Sequence, residues 1–324
     1  MKNFWQNKKV FVTGANGFLG SHLTKSLIEY GLRPVVLIYE DNPAGLFEKE
    51  NLSAKTQVVR GDVRNFKLMS EILRDFKIDT IFHLAAQSIV DQAVDAPIET
   101  LEVNIQGTWN ILESARKSSS VERVIMASSD KAYGHHDTLP YEEHVHALKG
   151  IYPYEVSKTC ADLIGQSYYR TFNLPVCITR CTNLYGPGDL KMNRIVPNTI
   201  QLLYQNKPPI LRDTGESLRD YLFIDDAVEG YLKLAEKMNK NLHGHAFNFA
   251  TNTPLSASEA VATISNEMGK NIKPAIVETM KFEISSQYAS YDKAKNFLGW
   301  QPSHAFGEGI KKTVPWYEEH LKNV

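Results

Sequence analysis

Two short stretches carry side chains that could do chemistry together. One is Ser129-Asp130-Lys131, a hydroxyl, a carboxylate and an amine in a row, just after the apolar run Val124–Ala127. The other is Tyr154 and Lys158, four residues apart, so that a helix sets them on one face. A phenol ionises near about 10 and is a poor base at neutral pH. A cation beside it would lower that value, and the phenolate could then take a proton from a substrate hydroxyl that Ser129 also holds. In isolation each pattern has a plainer reading. Tyr-x-x-x-Lys occurs on many helix surfaces, and Asp130-Lys131 would serve as a turn with a surface ion pair.

What raises both is the stretch upstream that must position them. Val10, Phe11 and Val12 form a β-prone apolar run, followed by Gly14, Gly17 and Gly20 and then by Leu19, Leu23, Leu27 and Ile28 at helical spacing. Strand, glycine turn and helix make a dinucleotide-binding unit, with the pyrophosphate at the helix N-terminus. The spacing is G-x-x-G-x-x-G rather than G-x-G-x-x-G, and an ordinary glycine-rich turn is the competing reading. A bound oxidised nicotinamide would lower the Tyr154 phenol further and accept the hydride that leaves as the phenolate takes the proton.

Apolar runs recur at Val35–Tyr39, Val58-Val59, Ile81–Ala85, Val124–Ala127 and Val176–Thr179, with helical patterns between them, such as Leu68–Phe76 and Val103–Ala115. The alternation predicts an α/β fold, a Rossmann-type doubly wound parallel sheet with ligands at the carboxyl ends of its strands. Glu40 and Asp41 follow the second strand, and no arginine is expected beside them, which favours NAD over NADP; either carboxylate would suit the ribose. Asp62, after the third strand, would bind the adenine amino group or cap the next helix.

Composition narrows the partners. Of 324 residues 43% are hydrophobic, enough for a large core, and 36 basic residues balance 37 acidic ones, so no field for nucleic acid or a membrane surface is expected. No run approaches a membrane span, and residues Met1–Gln6 lack the apolar core of a signal peptide. Cys160, Cys177 and Cys181 are an odd, sparse set that suits a reducing compartment, so a cytoplasmic location is expected. The cysteines, His135-His136, His144 and His146 are read as non-metal.

Taken together, the motifs resemble the extended short-chain dehydrogenase/reductase family, the nucleotide-sugar epimerases and dehydratases. The resemblance rests on Gly14–Gly20, Gly61–Arg64, His83–Gln87, Asn104–Thr108, Tyr154 with Lys158, Arg180–Gly188, Arg219–Asp226, Phe247-Asn248 and Leu298–Pro302. It implies that Gly14, Gly17, Phe18, Leu19 and Gly20 cradle the pyrophosphate of NAD, that Asp62 and Val63 flank adenine, and that Leu84, Ala85 and Ala86 line the cofactor cleft. It further implies that Tyr154 and Lys158 touch the nicotinamide ribose. Ser88, Asn183 and Arg219 would meet the sugar nucleotide. The implied division is a cofactor domain over 1–182, regaining a strand near 246–249, and a smaller α/β substrate domain over 183–324. Helices near Val103–Arg116 and Tyr154–Phe172 would build a four-helix bundle in a homodimer.

Within the family, Asp130-Lys131 and the opening Phe4–Gly14 most resemble the CDP-glucose 4,6-dehydratases. Such an enzyme oxidises C4, loses water across C5–C6 with Lys131 as base and Asp130 as acid, and returns hydride to C6. Those roles require a lysine lowered from about 10.4 and an aspartate raised from about 3.9, which a close pair opposes unless burial intervenes. The Asp213–Arg219 and Asn183–Pro187 segments follow the wider epimerase/dehydratase pattern, so the base stays open among cytosine, uracil, guanine and thymine. A 4-epimerase with Asp130-Lys131 idle is the alternative; a non-catalytic NAD sensor would be expected to lack Tyr154 or Lys158.

Overall fold

The computed structural model describes residues 2–212, 214–277 and 284–322; Asp213 lies outside the described residues. The central sheet contains seven parallel strands: β1 Val10–Thr13, β2 Val35–Ile38, β3 Gln57–Arg60, β4 Thr80–His83, β5 Arg123–Ala127, β6 Val176–Cys181 and β7 Ala246–Phe249. Their order across the sheet is β3-β2-β1-β4-β5-β6-β7. This is a Rossmann-type doubly wound sheet, and the chain reverses direction across it at β1 and β4.

Side chains alternate between two cores. Val10, Val12, Val36, Ile38, Phe82, Ile125 and Cys177 face one apolar layer. Phe11, Val35, Leu37, Ile81, Val124, Met126 and Ile178 face the other. A parallel strand covered on both faces reads as a continuous apolar run, which is why these segments are visible in the sequence. β3 is the exception: it is an edge strand, largely exposed, and ends in Arg60.

The main helices are α1 Phe18–Glu29, α2 Phe66–Asp75, α3 Gly107–Lys117, α4 Pro153–Phe172, α5 Ile195–Tyr204, α6 Ile224–Lys237, α7 Ala257–Glu267 and α8 Phe306–Lys322. The pattern expected over Val103–Ala115 is not one α-helix. It enters as a π-helical turn, Glu102–Gln106, and becomes α-helical at Gly107, which turns Asn104 into the interior. Strands two and four also stop short of the expected ends. The backbone N–H groups of Leu84 and Ala85 donate to Thr13 Oγ1, both at 3.1 Å.

Segments distant in sequence complete the first layer. β7 pairs with β6 in the register Ala246↔Ile178 to Phe249↔Cys181. Ala227, Tyr231 and Leu234 of α6 share a core with Leu23 and Leu27 of α1. Trp5 is fully buried in that core, and its Nε1–H donates to Glu236 Oε1 at 2.7 Å.

A third core lies beyond β6, built from Tyr185, Val196, Ile200, Phe223, Ile264, Ile310 and Tyr317. Small sheets sit around it. Asn183–Tyr185 pairs with Tyr221–Phe223, and Leu218–Arg219 lies between Leu255–Ser256 and Ser286–Gln287. No described helix is long and apolar enough to cross a membrane.

Candidate active site

The carboxyl ends of β1 and β4 open into a cleft of about 1040 Å³ that runs from β2 to the third core. At one end the wall is mostly backbone. Gly14 has φ +67°, and a Cβ there would stand 2.8 Å from the Ala85 nitrogen. A Cβ on Gly20 would collide with the Gly14 carbonyl oxygen. Only glycine lets the turn close so tightly against Leu84–Ala86 and against its own helix. The first turn of α1 carries no acidic residue, so its free N–H groups and positive dipole end face the cleft uncompensated. This cradle fits a pyrophosphate.

Glu40 lines the cleft beyond β2, and its carbonyl accepts from Asn16 Nδ2 at 2.7 Å. The expectation that no arginine stands beside Glu40 and Asp41 needs correction. The parallel pairing of β2 and β3 brings Arg60 to Asp41 at 2.7 Å, an exposed ion pair. Asp62 does not cap α2; Asn65 does, accepting from Leu68 N at 3.1 Å. Burial pushes the Asp62 carboxyl up, but hydrogen bonds from Arg64 outweigh it and hold the group below its usual range.

Under the middle of the cleft runs a chain of hydrogen bonds whose direction can be worked out. Thr13 Oγ1 accepts from Leu84 and Ala85, so its own proton goes to His83 Nδ1 at 2.9 Å. Thr108 Oγ1 donates to the Asn104 carbonyl at 2.6 Å, so it accepts from His83 Nε2–H at 3.2 Å. The Asn104 side chain then donates to Ser157 Oγ at 2.8 Å, and Ser157 donates to the Tyr154 carbonyl at 2.7 Å. His83 is neutral: burial pulls its pKa down to about 3, helped by the charge of Lys158. The chain ties the cofactor wall to the helix that carries Tyr154.

Ser129, Asp130, Lys131, Tyr154 and Lys158 all line the same cleft. Burial drives the Tyr154 phenol up to about 12, opposed chiefly by the guanidinium of Arg194 and by Ser129. Lys158, the expected cation beside this phenol, instead donates from Nζ to the Ala127 carbonyl at 3.0 Å, and burial brings its pKa down to about 8. Asp130 is buried. Ser129 Oγ donates to its Oδ1 at 3.0 Å, while Oδ2 has no partner among the described residues. Burial raises its pKa despite the nearby charges of Lys131 and Arg219. Lys131 Nζ donates to Gln287 Oε1 at 3.1 Å rather than to Asp130, so the surface ion-pair reading of this dipeptide does not hold.

Toward the third core the cleft is lined by Ser88, Asn183 and Arg219. Asn183 Nδ2 donates to the Asp220 carbonyl at 3.2 Å, and Arg219 Nη1 donates to the carbonyls of Leu218 and Ser285 at 2.9 and 3.2 Å. The residues singled out at Gly14, Gly17, Phe18, Leu19, Gly20, Glu40, Asp62, Val63, Leu84, Ala85 and Ala86 share this wall. Arg194 escaped the sequence reading. It is the N-cap of α5 and pairs with buried Asp189 at 3.0 Å, and no motif around it in the sequence marks it.

Across 98% of its length the chain is 31% identical to dTDP-D-glucose 4,6-dehydratase of Bos taurus, covering 90% of that protein. Its fold superposes on UDP-glucose 4-epimerase of Thermotoga maritima, solved with UDP-glucose, with a TM-score of 0.89 and 26% identity, covering 97% of this chain and 99% of the other. It also superposes on dTDP-glucose 4,6-dehydratase of Streptomyces venezuelae, solved with NAD, at 0.85 and 27%, covering 96% and 97%. Residues 10–250 match the profile of the NAD dependent epimerase/dehydratase family, so the chain belongs to that family and its cofactor is NAD.

Proposed function

We propose that the enzyme is a nucleotide-sugar 4,6-dehydratase, converting an NDP-hexose to an NDP-4-keto-6-deoxyhexose. The observation that carries this reading is Asp130, a buried carboxyl raised by desolvation with one oxygen unpartnered. Such a group holds a proton where an exposed aspartate would not. Tyr154 takes the C4 hydroxyl proton as the phenolate, which the positive charge of an oxidised nicotinamide would favour against the burial that raises its pKa, and Ser129 orients that hydroxyl. Bound NAD supplies the hydride acceptor for C4 and the hydride donor for C6. With C4 a ketone the C5 proton is acidic, and Lys131 is the base that removes it. Asp130 protonates the departing C6 hydroxyl, which leaves as water. Asn183 and Ser88 hold the sugar-nucleotide, and Arg219 meets the diphosphate with its two-pronged guanidinium.

A 4-epimerase is the second reading, favoured by the close superposition on the Thermotoga maritima enzyme. It would leave Asp130 and Lys131 without a task. Incubation with NAD and CDP-, UDP-, GDP- and dTDP-linked hexoses, followed by mass spectrometry, separates the two. A product lighter by one water with no net NADH supports the dehydratase and names the base. Unchanged mass with an altered sugar assigns the epimerase.

The same reading includes a homodimer. Trp109 on α3 and Leu163 and Phe172 on α4 are between 44% and 51% exposed, and Ile98, on the neighbouring helix Pro97–Leu101, is 72% exposed. These apolar side chains suit a bundle shared by two copies. Sedimentation at the monomer mass would exclude it.

A further inference from the structure

We infer that Gln287 is the positioning residue for Lys131, holding its amine for the elimination step; this rests on the dehydratase reading above. Gln287 is fully buried, and Lys131, not Gln287, forms the cleft wall. Burying an amide costs free energy unless it is hydrogen-bonded, and methionine or leucine would fill the site without that cost. The partner it has is Lys131, whose Nζ donates to Oε1 at 3.1 Å across 156 positions of sequence. A flexible four-carbon stem is thereby fixed at its reactive end.

The strand that carries Gln287 is held on both sides. Strand Ser286–Gln287 pairs with Leu218–Arg219 in the register Gln287↔Arg219. On its far side Tyr141 N donates to the Tyr288 carbonyl at 2.9 Å, and Ser290 N donates to the Tyr141 carbonyl at 3.0 Å. The strand opposite Gln287 therefore carries Arg219, the residue proposed for the diphosphate. Seating of the nucleotide and aim of the base share one small sheet. Gln287 Nε2 has no partner among the described residues, so the amide is anchored through its backbone and through Lys131.

The test uses full-length enzyme with NAD and dTDP-, UDP-, CDP- and GDP-glucose, unlabelled and deuterated at C5. Gln287→Met keeps length and apolar fit and removes the acceptor. We expect kcat to fall at least about tenfold with KM within about threefold, and the C5 isotope effect to rise as proton removal becomes limiting. In a Lys131→Met background the same change should add less than about twofold, because Gln287 acts through Lys131. Gln287→Asn, an amide withdrawn by one methylene, should fall between wild type and Gln287→Met. If Gln287→Met fails to fold, Gln287→Asn decides: a lower kcat with a raised isotope effect supports the inference, and wild-type values overturn it. Unchanged kcat and isotope effect in Gln287→Met, or a fully additive loss in the double variant, also overturns it. Retained water loss in Lys131→Met overturns the role of Lys131 as base and the positioning role with it, whereas no water loss from the wild-type enzyme with any of the four donors overturns the dehydratase reading itself. Loss of elimination in Lys131→Met with a wild-type Gln287→Met overturns the positioning role alone.

Discussion

The two ends of the cleft are built from different materials. At the cofactor end, Gly14 and Gly20 leave out side chains so that backbone can approach backbone. At the end proposed for the sugar, side chains are held by other side chains: Lys131 by Gln287, Arg194 by Asp189, Ser129 by Asp130. The first design tolerates almost no added atom and recognises a shape common to all dinucleotides. The second can be re-tuned one contact at a time.

The contrast can be tested at both ends. The largest effect is expected from Tyr154→Phe, which should lower turnover by about a thousandfold while calorimetry still registers NAD binding. Loss of NAD binding would show that the phenol is part of the cradle rather than of the chemistry. Lys131→Met and Asp130→Asn should each slow water loss by about a hundredfold, read by product mass, with KM nearly unchanged. Gly20→Ala should weaken NAD binding by about tenfold and cost roughly 1–3 kcal/mol of stability by denaturant melting, since the added methyl meets a carbonyl oxygen that cannot move freely.

A smaller effect is predicted with pH. The pKa of His83 is about 3 in the fold, below its unfolded value of about 6.5. As pH falls below about 6.5 the unfolded chain takes up a proton that the fold refuses, so stability falls by about 2 kcal/mol by pH 5 and continues to fall toward pH 3. His83→Gln should flatten that limb. An unchanged limb would move the acid sensitivity to other groups. The smallest effect is expected from Arg60→Ala. Its pair with Asp41 is exposed, so stability should change by less than about 0.5 kcal/mol and NAD affinity by less than about twofold.

The same division decides what the sequence reveals. Glycine spacing and apolar strands are local signals, and the cradle, the parallel strands and the Tyr154–Lys158 spacing on α4 could be read from neighbouring residues. The sugar end is assembled across long separations. Nothing near Lys131 points to Gln287, and nothing near Tyr154 points to Arg194, because short strands and loops bring them together. Two local readings also failed for physical reasons. Arg60 meets Asp41 through parallel strand pairing, which skips a whole crossover of sequence. The π-helical turn at Glu102–Gln106 breaks a period that looked regular, because it serves the burial of Asn104.

The return of α6 and β7 to the first layer has a consequence for how the chain comes off the ribosome. Trp5 is made well before its partner Glu236, which follows 231 positions later. Until then β6 has a bare edge, and Leu23 and Leu27 lack the α6 residues that cover them in the fold. The cofactor half therefore cannot finish folding as it emerges. A nascent chain that has reached only residue 182 should be held by chaperones or aggregate, and expressing residues 1–182 alone should give insoluble protein rather than a small NAD-binding module.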